Sequence, residues 1–436
     1  MRDGGGSPEL RASNLRIAYL VSQYPAVNTV YILREITQLR RAGFDVRVIS
    51  IRPPDRPPDG LTPVEREEMR QTTYVTTRGL LGVLASHLAT LATRPLAYGR
   101  GFLYALRFGR FDLRRTAYAL AYFAEAVVVG DWMRRQRLAH AHVHYSSTVA
   151  LFATRIFPIT ISITIHGSDE FVDPVGHRLA AKVAAARFVC AISNYGRSQI
   201  MKACDYTEWP KIEVARLGID PESFAPAPVR ERPVPFEVIC VGQLAPAKGQ
   251  HILLAAVQSL VHDERQVLLR LVGDGDDRAG LEADAAARGI DDRVVFEGSV
   301  NQDRLRALYQ RADACVLPSF AEGVPVVLME AMSMGIPCVA SRITGIPELI
   351  EDGMHGLLVD PSDSALLAAA IARLMGDATL RRRLGAAART RVMERYDLAR
   401  NTRHLAEIFR RRLAADESTA RTPHARAPSL TAAELG

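Results

Sequence analysis

Twice along the chain a short apolar run is followed by a helical pattern and then by another apolar run, and a proline-rich stretch separates the two series. Residues 15–21 read as a buried strand. Residues 30–42 read as a helix with Ile32, Ile36 and Leu39 on one face, and 46–51 as the next strand. Residues 224–235 carry four prolines, after which the alternation restarts. Strands are expected at 236–241, 267–272, 294–297, 314–317, 338–340 and 356–359, with helices between them. Alternation of this kind implies an α/β fold with a parallel sheet and helices on its faces. Two such series imply two Rossmann-like domains facing across a cleft. Ligands in open α/β sheets bind beyond the carboxyl ends of the strands, so that edge of each sheet is where functional residues are sought.

The boundaries follow from the same pattern. Residues 1–14 are expected to be disordered, and 15–224 to form an N-terminal domain with a helical insert at about 78–138. Residues 225–235 form a linker, 236–397 the second domain, and 398–412 a helix crossing back to the first. Residues 416–436, rich in Ser, Thr, Pro and Ala, are expected to be disordered.

Composition narrows the classes. At 48% hydrophobic and 24% charged residues, fibrous and wholly disordered readings are excluded. The longest uncharged apolar run, 79–93, falls short of the ~20 residues needed to span a bilayer. Residues 1–14 lack the apolar core of a signal peptide. A cytoplasmic protein is expected. Five cysteines without a CxxC pair argue against a disulfide framework or a zinc site. The net charge of +7 suits an anionic partner such as a membrane surface or a phosphorylated substrate. No nucleic-acid module accompanies it, so nucleic acid is not expected as a partner. Only four of the 55 basic side chains are lysines, which draws attention to Lys248.

Five segments carry candidate chemistry. In Phe320-Ala-Glu-Gly-Val-Pro-Val-Val-Leu-Met-Glu330, a strand leads through a loop into a helix. Glu322 would sit on the loop above the strand ends, and Gly323 would let backbone approach a ligand. The amides of Val324, Val326 and Val327 would form an anion site at the helix N-terminus. Glu330 could reach a ribose diol. In Val241-Gly-Gln-Leu-Ala-Pro-Ala-Lys-Gly249, Gly242 allows a tight turn and Lys248 could reach a diphosphate. Gly273-Asp-Gly-Asp-Asp277 reads either as a nucleotide-facing turn through Gly273 and Gly275 or as an Asp274/Asp276 metal pair, a helix N-cap being the commoner explanation. His140, His142 and His144 share one face of a strand, which suits a metal. No nearby carboxylate completes such a site, so a polar strand end near the cleft is the reading preferred. His166 and Asp169 follow the apolar run 159–165, where His166 would face ligand.

These segments together resemble the family-4 retaining glycosyltransferases, over residues from about 15 to 412. Gly242 with Lys248-Gly249, Glu322-Gly-Val-Pro with Glu330-Ala-Met, Gly345-Ile-Pro-Glu348, His166-Gly-Ser-Asp169 and Ile192-Ser-Asn194 carry the resemblance. The branch most similar builds exopolysaccharides such as colanic acid. The resemblance implies transfer of a sugar from a nucleotide-sugar donor with retention of configuration. Lys248, Glu322 and His166 would be catalytic. Gly242, Gln243, Gly273, Gly275, Gly323, Val324, Val326, Val327 and Glu330 would bind the donor. Asn28, Thr29, Asp169 and Asn194 would lie on the acceptor side. No cofactor and no metal are implied, because fixed positive groups would serve the leaving diphosphate. Two departures from the family pattern stand out: Gln243 where an Arg is common, and Asn28-Thr29 where the exopolysaccharide branch often has Ser-Glu. The acceptor would be a lipid-linked oligosaccharide or a small molecule. In the helical insert, Arg100, Arg107, Arg110, Arg114 and Arg115 beside Tyr104, Phe108 and Phe111 suggest reversible binding to an anionic membrane surface.

Overall fold

A computed structural model describes residues 15–419 apart from 110–111, 168, 227–228 and 232; the side chains of Asn28, Asp169 and residues 415–419 also lie outside the description. Residues 1–14 and 420–436, both expected to be disordered, fall outside the described residues.

Two parallel sheets form the frame. The N-terminal sheet has seven strands in the order β3-β2-β1-β4-β5-β6-β7. They are Arg16–Gln23 (β1), Asp45–Arg52 (β2), Thr73–Tyr74 (β3), His140–His144 (β4), Thr160–Ile165 (β5), Phe188–Ala191 (β6) and Ile212–Val214 (β7). The C-terminal sheet has six in the order β10-β9-β8-β11-β12-β13. They are Phe236–Val241 (β8), Val267–Val272 (β9), Val294–Gly298 (β10), Ala314–Leu317 (β11), Cys338–Ser341 (β12) and Leu357–Val359 (β13). In each sheet the order reverses beside the first strand, between β1 and β4 and between β8 and β11. Those two switch points open the crevices in which ligands are held.

Near-continuous apolar strands are what a sheet covered on both faces requires. β8 is buried from Phe236 to Val241 and β11 from Ala314 to Leu317. One apolar cluster runs through both domains, including Ile192 and Leu217 of the first with Val324 and Ile346 of the second.

The chain crosses between domains twice, side by side. Leu398 N–H donates to Ile219 O at 2.9 Å and Ile219 N–H to Tyr396 O at 2.9 Å. The stretch 225–235 lies against the second domain: Arg230 Nε donates to Asp313 Oδ1 at 2.9 Å, and the buried Arg381 donates to the carbonyls of Arg230 and Glu231 at 2.7 and 3.0 Å.

The last helix, Leu398–Thr419, packs on the N-terminal domain and runs seven residues past the expected end at Arg412. The expected disorder from 416 is corrected over 416–419, because Leu-Ala-Ala-Asp-Glu favours helix and the next proline is Pro423. Phe409, fully buried, anchors it against Phe44, Phe188 and His142 with ring centroids at 6.0, 5.7 and 4.9 Å.

Three helices, Gly79–Thr93, Pro95–Phe108 and Leu113–Gln136, form the insert. Here the expected membrane face is corrected. Tyr104 and Phe108 do not point outward; both pack on Phe152 at 5.1 Å. The helix Gly79–Thr93 is instead apolar on its outer side. Its buried residues are Ser86 and Thr90, while Leu80, Leu81, Leu84, Leu88 and Leu91 are exposed. Leu96, Leu103, Leu106 and Leu113 extend the exposed apolar surface.

Phe409→Ala is expected to cost about 3–5 kcal/mol, the range for a buried aromatic truncated in a core. Both tryptophans, Trp132 and Trp209, lie in the N-terminal domain. Urea unfolding followed by their fluorescence reads the loss, and an unchanged midpoint would show that the helix does not brace this domain.

Candidate active site between the domains

The C-terminal wall of the site is built from the loops after β8 and β11. Lys248 Nζ donates to Glu322 Oε1 at 2.6 Å, and the buried Ser319 hydroxyl donates to the same oxygen at 2.8 Å. Phe320 N–H donates to Ala247 O at 2.8 Å, which ties the two loops together. The helix Val326–Ser333 follows, with Pro325 as N-cap. Its opening amides, at Val326 and Val327, have no partner within the helix and aim a positive dipole end outward. Val324 is buried beneath this loop. Ser319 escaped the sequence reading because a loop serine carries no distinguishing pattern.

Gly273 and Gly275 act one layer back. A Cβ on Gly273 would come within 1.9 Å of Gly242 O, and one on Gly275 within 2.2 Å of Leu244 O. These glycines let the 273–277 turn press on the 242–244 turn. Gln243 is exposed, and its carbonyl accepts from Gln250 Nε2 at 2.9 Å. Asp274 faces Arg278 at 4.0 Å.

The N-terminal wall centres on His166, which follows β5. Tyr145 stacks on its ring at 4.8 Å and Tyr31 leans on it at 5.1 Å, and the two tyrosine hydroxyls bond to each other. His144 Nδ1 lies 2.9 Å from His166 Nε2. Burial, with His144 beside it, holds the His166 imidazole well below the ordinary histidine range, so the ring is neutral. Asn28 and Thr29 lie in the short turn before the helix Val30–Arg41, where Thr29 Oγ1 donates to Ala26 O at 3.4 Å. Asp169 opens the helix Asp169–Val172; its side chain, like that of Asn28, is outside the described residues.

The histidine strand is not a polar end at the cleft, as expected, but an interior ladder. The parallel register sets His140, His142 and His144 beside Thr160, Ser162 and Thr164. His140 reaches Thr160 and Ser162, and His142 reaches Ser162 and Thr164, all at 2.8–2.9 Å. Only His144 touches His166. A carboxylate does arrive, contrary to expectation: Glu35, from the helix after β1, brings its oxygen within 4.8 Å of nitrogens on His142 and His144. Both nitrogens of the fully buried His142 already meet hydroxyls, while His144 Nε2 faces the Glu35 carboxylate at 3.3 Å.

The domains meet across this site. A Cβ on Gly323 would fall 2.1 Å from His166 O, so backbone abuts backbone and only glycine fits. Arg34 Nη2 donates to Glu330 Oε1 and to Gln302 Oε1, each at 3.1 Å. Glu330 is 2% exposed, and burial pushes its carboxyl above the ordinary carboxylate range, with Arg34 opposing the shift. Glu348 crosses from the other side. It accepts from Asn194 N–H and Nδ2 at 3.0 and 3.2 Å and from Tyr195 N–H at 2.6 Å, closing the N-terminus of the helix Asn194–Ala203. Asn194 is thereby engaged between the domains. Arg34 and Glu348 reach partners far away in sequence, and no local pattern announces such pairs.

Comparison with known proteins agrees with this geometry. Residues 224–391 match the family of glycosyl transferases group 1. The amylovoran biosynthesis glycosyltransferase AmsK of Erwinia amylovora is 26% identical over 91% of this chain and 100% of its own length. The alpha-D-kanosaminyltransferase of Streptomyces kanamyceticus is 28% identical over 62% of this chain and 76% of its own. Among solved structures, Anabaena Alr3699/HepE in complex with UDP shares the fold with a TM-score of 0.68 at 20% identity, covering 91% of this chain and 99% of that one. The match to the group 1 glycosyl transferases thus falls on the segment that bears Lys248, Glu322 and Glu330, on a two-domain α/β frame with loops converging at the strand ends.

Proposed function

We propose that the protein is a retaining glycosyltransferase of family 4, which moves a sugar from a nucleotide-sugar donor onto a lipid-linked oligosaccharide during exopolysaccharide or cell-surface glycan assembly. The observation that carries this reading is the convergence of Lys248, Glu322 and the helix start at Val326 on one edge of the cleft, with His166 opposite. AmsK, similar over nearly the whole chain, supports the polymer, and HepE with UDP supports the donor class.

Lys248 and Glu322 satisfy each other. On donor binding, Lys248 turns to the diphosphate and Glu322 to the sugar hydroxyls. As the glycosidic bond to phosphate breaks, negative charge grows on the leaving diphosphate. Lys248 and the amides of residues 323–327 stabilise it without reorganising. Glu330 takes the ribose diol, releasing Arg34. His166 lies between donor and acceptor. Fixed positive groups take the part that a metal ion would otherwise play.

A surface-bound acceptor suits the insert. Among the described residues no single helix is long and apolar enough to cross a membrane; the pair 76–93 and 95–108 is bent by 120°. The exposed leucines and the exposed Arg100, Arg107, Arg114 and Arg115 of the insert suit a helix pair lying in an anionic bilayer surface at the cytoplasmic face. Kanosaminyltransferase favours a second reading, transfer to a small-molecule natural product.

Transfer is tested with a panel of nucleotide-sugars in excess EDTA, the anomeric configuration of the product being read by NMR. Activity survives the chelator, and Lys248→Ala lowers turnover by about 10²–10³, the range for loss of one preorganised charge stabiliser. Lys248→Arg rescues only in part. Near-wild-type turnover in the Ala variant would remove Lys248 from the reaction.

Glu330→Gln separates binding from stability. A carboxyl raised on folding contributes stability below its unfolded pKa, near pH 4, and that contribution is lost as pH rises through the folded value. The Gln variant should therefore melt higher than wild type at pH 8, with the gap closing towards pH 4, while binding nucleoside diphosphate more weakly. Unchanged nucleotide affinity would strike Glu330 from the donor site.

Wild-type protein should sediment with anionic vesicles at low salt. Leu81→Asp with Leu88→Asp should release it and leave nucleotide binding intact. If the wild type stays in the supernatant, the membrane-bound acceptor fails and the small-molecule reading takes its place.

A further inference from the structure

We infer that Glu35 and His144 are positioning residues that lock the tautomer of His166, leaving its Nδ1 as a bare acceptor for a hydroxyl of the bound sugar. The inference rests on the placement of His166 in the proposed transfer site.

Three observations carry it. First, His144 has two nitrogens and two neighbours. Its Nδ1 lies 2.9 Å from His166 Nε2, and its Nε2 lies 3.3 Å from Glu35 Oε1 with no other polar partner. Second, the Tyr19 hydroxyl donates to that same Glu35 oxygen at 2.8 Å, which marks the oxygen as an acceptor. A bare His144 Nε2 would then set a lone pair against a carboxylate oxygen, so in the neutral ring the proton sits on Nε2. His144 Nδ1 is consequently bare, and the proton between the two rings belongs to His166 Nε2. Third, His166 Nδ1 is buried and has no partner among the described residues. In a neutral His166 protonated at Nε2, that atom is a lone pair. A buried acceptor of this kind is met by water or by a ligand hydroxyl.

The polarity has a consequence for specificity. A bare Nδ1 at the domain contact accepts from a hydroxyl and repels a carbonyl or carboxylate oxygen. It can hold a hydroxyl proton of the donor sugar but can donate none. Tyr145 and Tyr31 keep the ring from turning, so orientation and protonation site are set by different neighbours. The series Tyr19–Glu35–His144–His166 joins β1, the following helix, β4 and the end of β5, all elements of the N-terminal domain.

The test is ¹⁵N NMR of the full-length, histidine-labelled protein, with the His166 signals assigned by their loss in His166→Gln. Wild type should show His166 with Nδ1 bare and Nε2 protonated. His144→Leu removes the acceptor and should move the proton to Nδ1 or mix the tautomers. His144→Asn restores an acceptor near the Nδ1 position and should return the wild-type pattern. In the transfer assay, His144→Leu and Glu35→Leu should lower kcat/KM by about 10–100-fold, the range for loss of a group that orients a ligand-binding histidine. His144→Asn should recover part of it. Glu35→Leu is close in size and removes the oxygen shared by Tyr19 and His144 while leaving the His144 ring in place, so it reports even if His144→Leu fails to fold. A protonated Nδ1 in wild-type His166, including one imposed by a charged His144, overturns the inference. So does a tautomer that stays fixed in both variants, even if turnover falls, and glycosyl transfer itself would then stand. If the tautomer moves and kcat/KM does not, His166 leaves the reaction and the positioning role falls with it.

Discussion

The site depends on a contact between two backbones. Gly323, at the end of the loop after β11, lies against the carbonyl of His166, and Gly345 lies against the carbonyl of Gly323 so closely that a Cβ would come within 2.1 Å. Three strand ends from two domains are therefore stacked with no side chain between them. Loops that bear Lys248, Glu322 and Val326 on one side, and His166 on the other, can converge only because that contact is so thin. A larger residue at 323 would hold the domains apart and leave each half-site facing solvent.

Around this contact the charges are satisfied in pairs. Lys248 holds Glu322, Arg34 holds Glu330, and Glu348 closes a helix N-terminus in the other domain. A closed cleft full of unpaired charge would be costly, since each isolated buried ion loses its hydration. Pairing them with one another lets the domains meet without ligand, and an anionic, hydroxyl-rich donor would exchange these partners one for one. The paired crossings at Ile219 and Leu398 fit such an exchange, because strands running side by side between domains can bend together.

Much of this was legible in the chain. Strand–helix alternation, the proline-rich stretch and the runs around Lys248, Glu322 and Glu330 report local periodicity, turn chemistry and apolar content, which depend on neighbours only a few residues away. The insert shows where that legibility ends. Its arginines and aromatics were read as one face, yet Tyr104 and Phe108 turn inward onto Phe152 while leucines of Gly79–Thr93 turn outward. A helix displays its pattern in the sequence, but which side meets the sheet is settled by what else is available to cover it.

The sequence by itself determined two parallel α/β units, their division and the loops that bear the candidate chemistry, because these follow from spacing along the backbone. Only the tertiary structure decided that Gly273 and Gly275 press one turn onto another, that Asn194 answers to Glu348, and that Glu35 stands behind His144 and His166. Each of those outcomes is a meeting of groups on separate elements. Its energy comes from desolvation and hydrogen bonding at a distance of about 3 Å, and nothing in the order of residues records which elements will come that close.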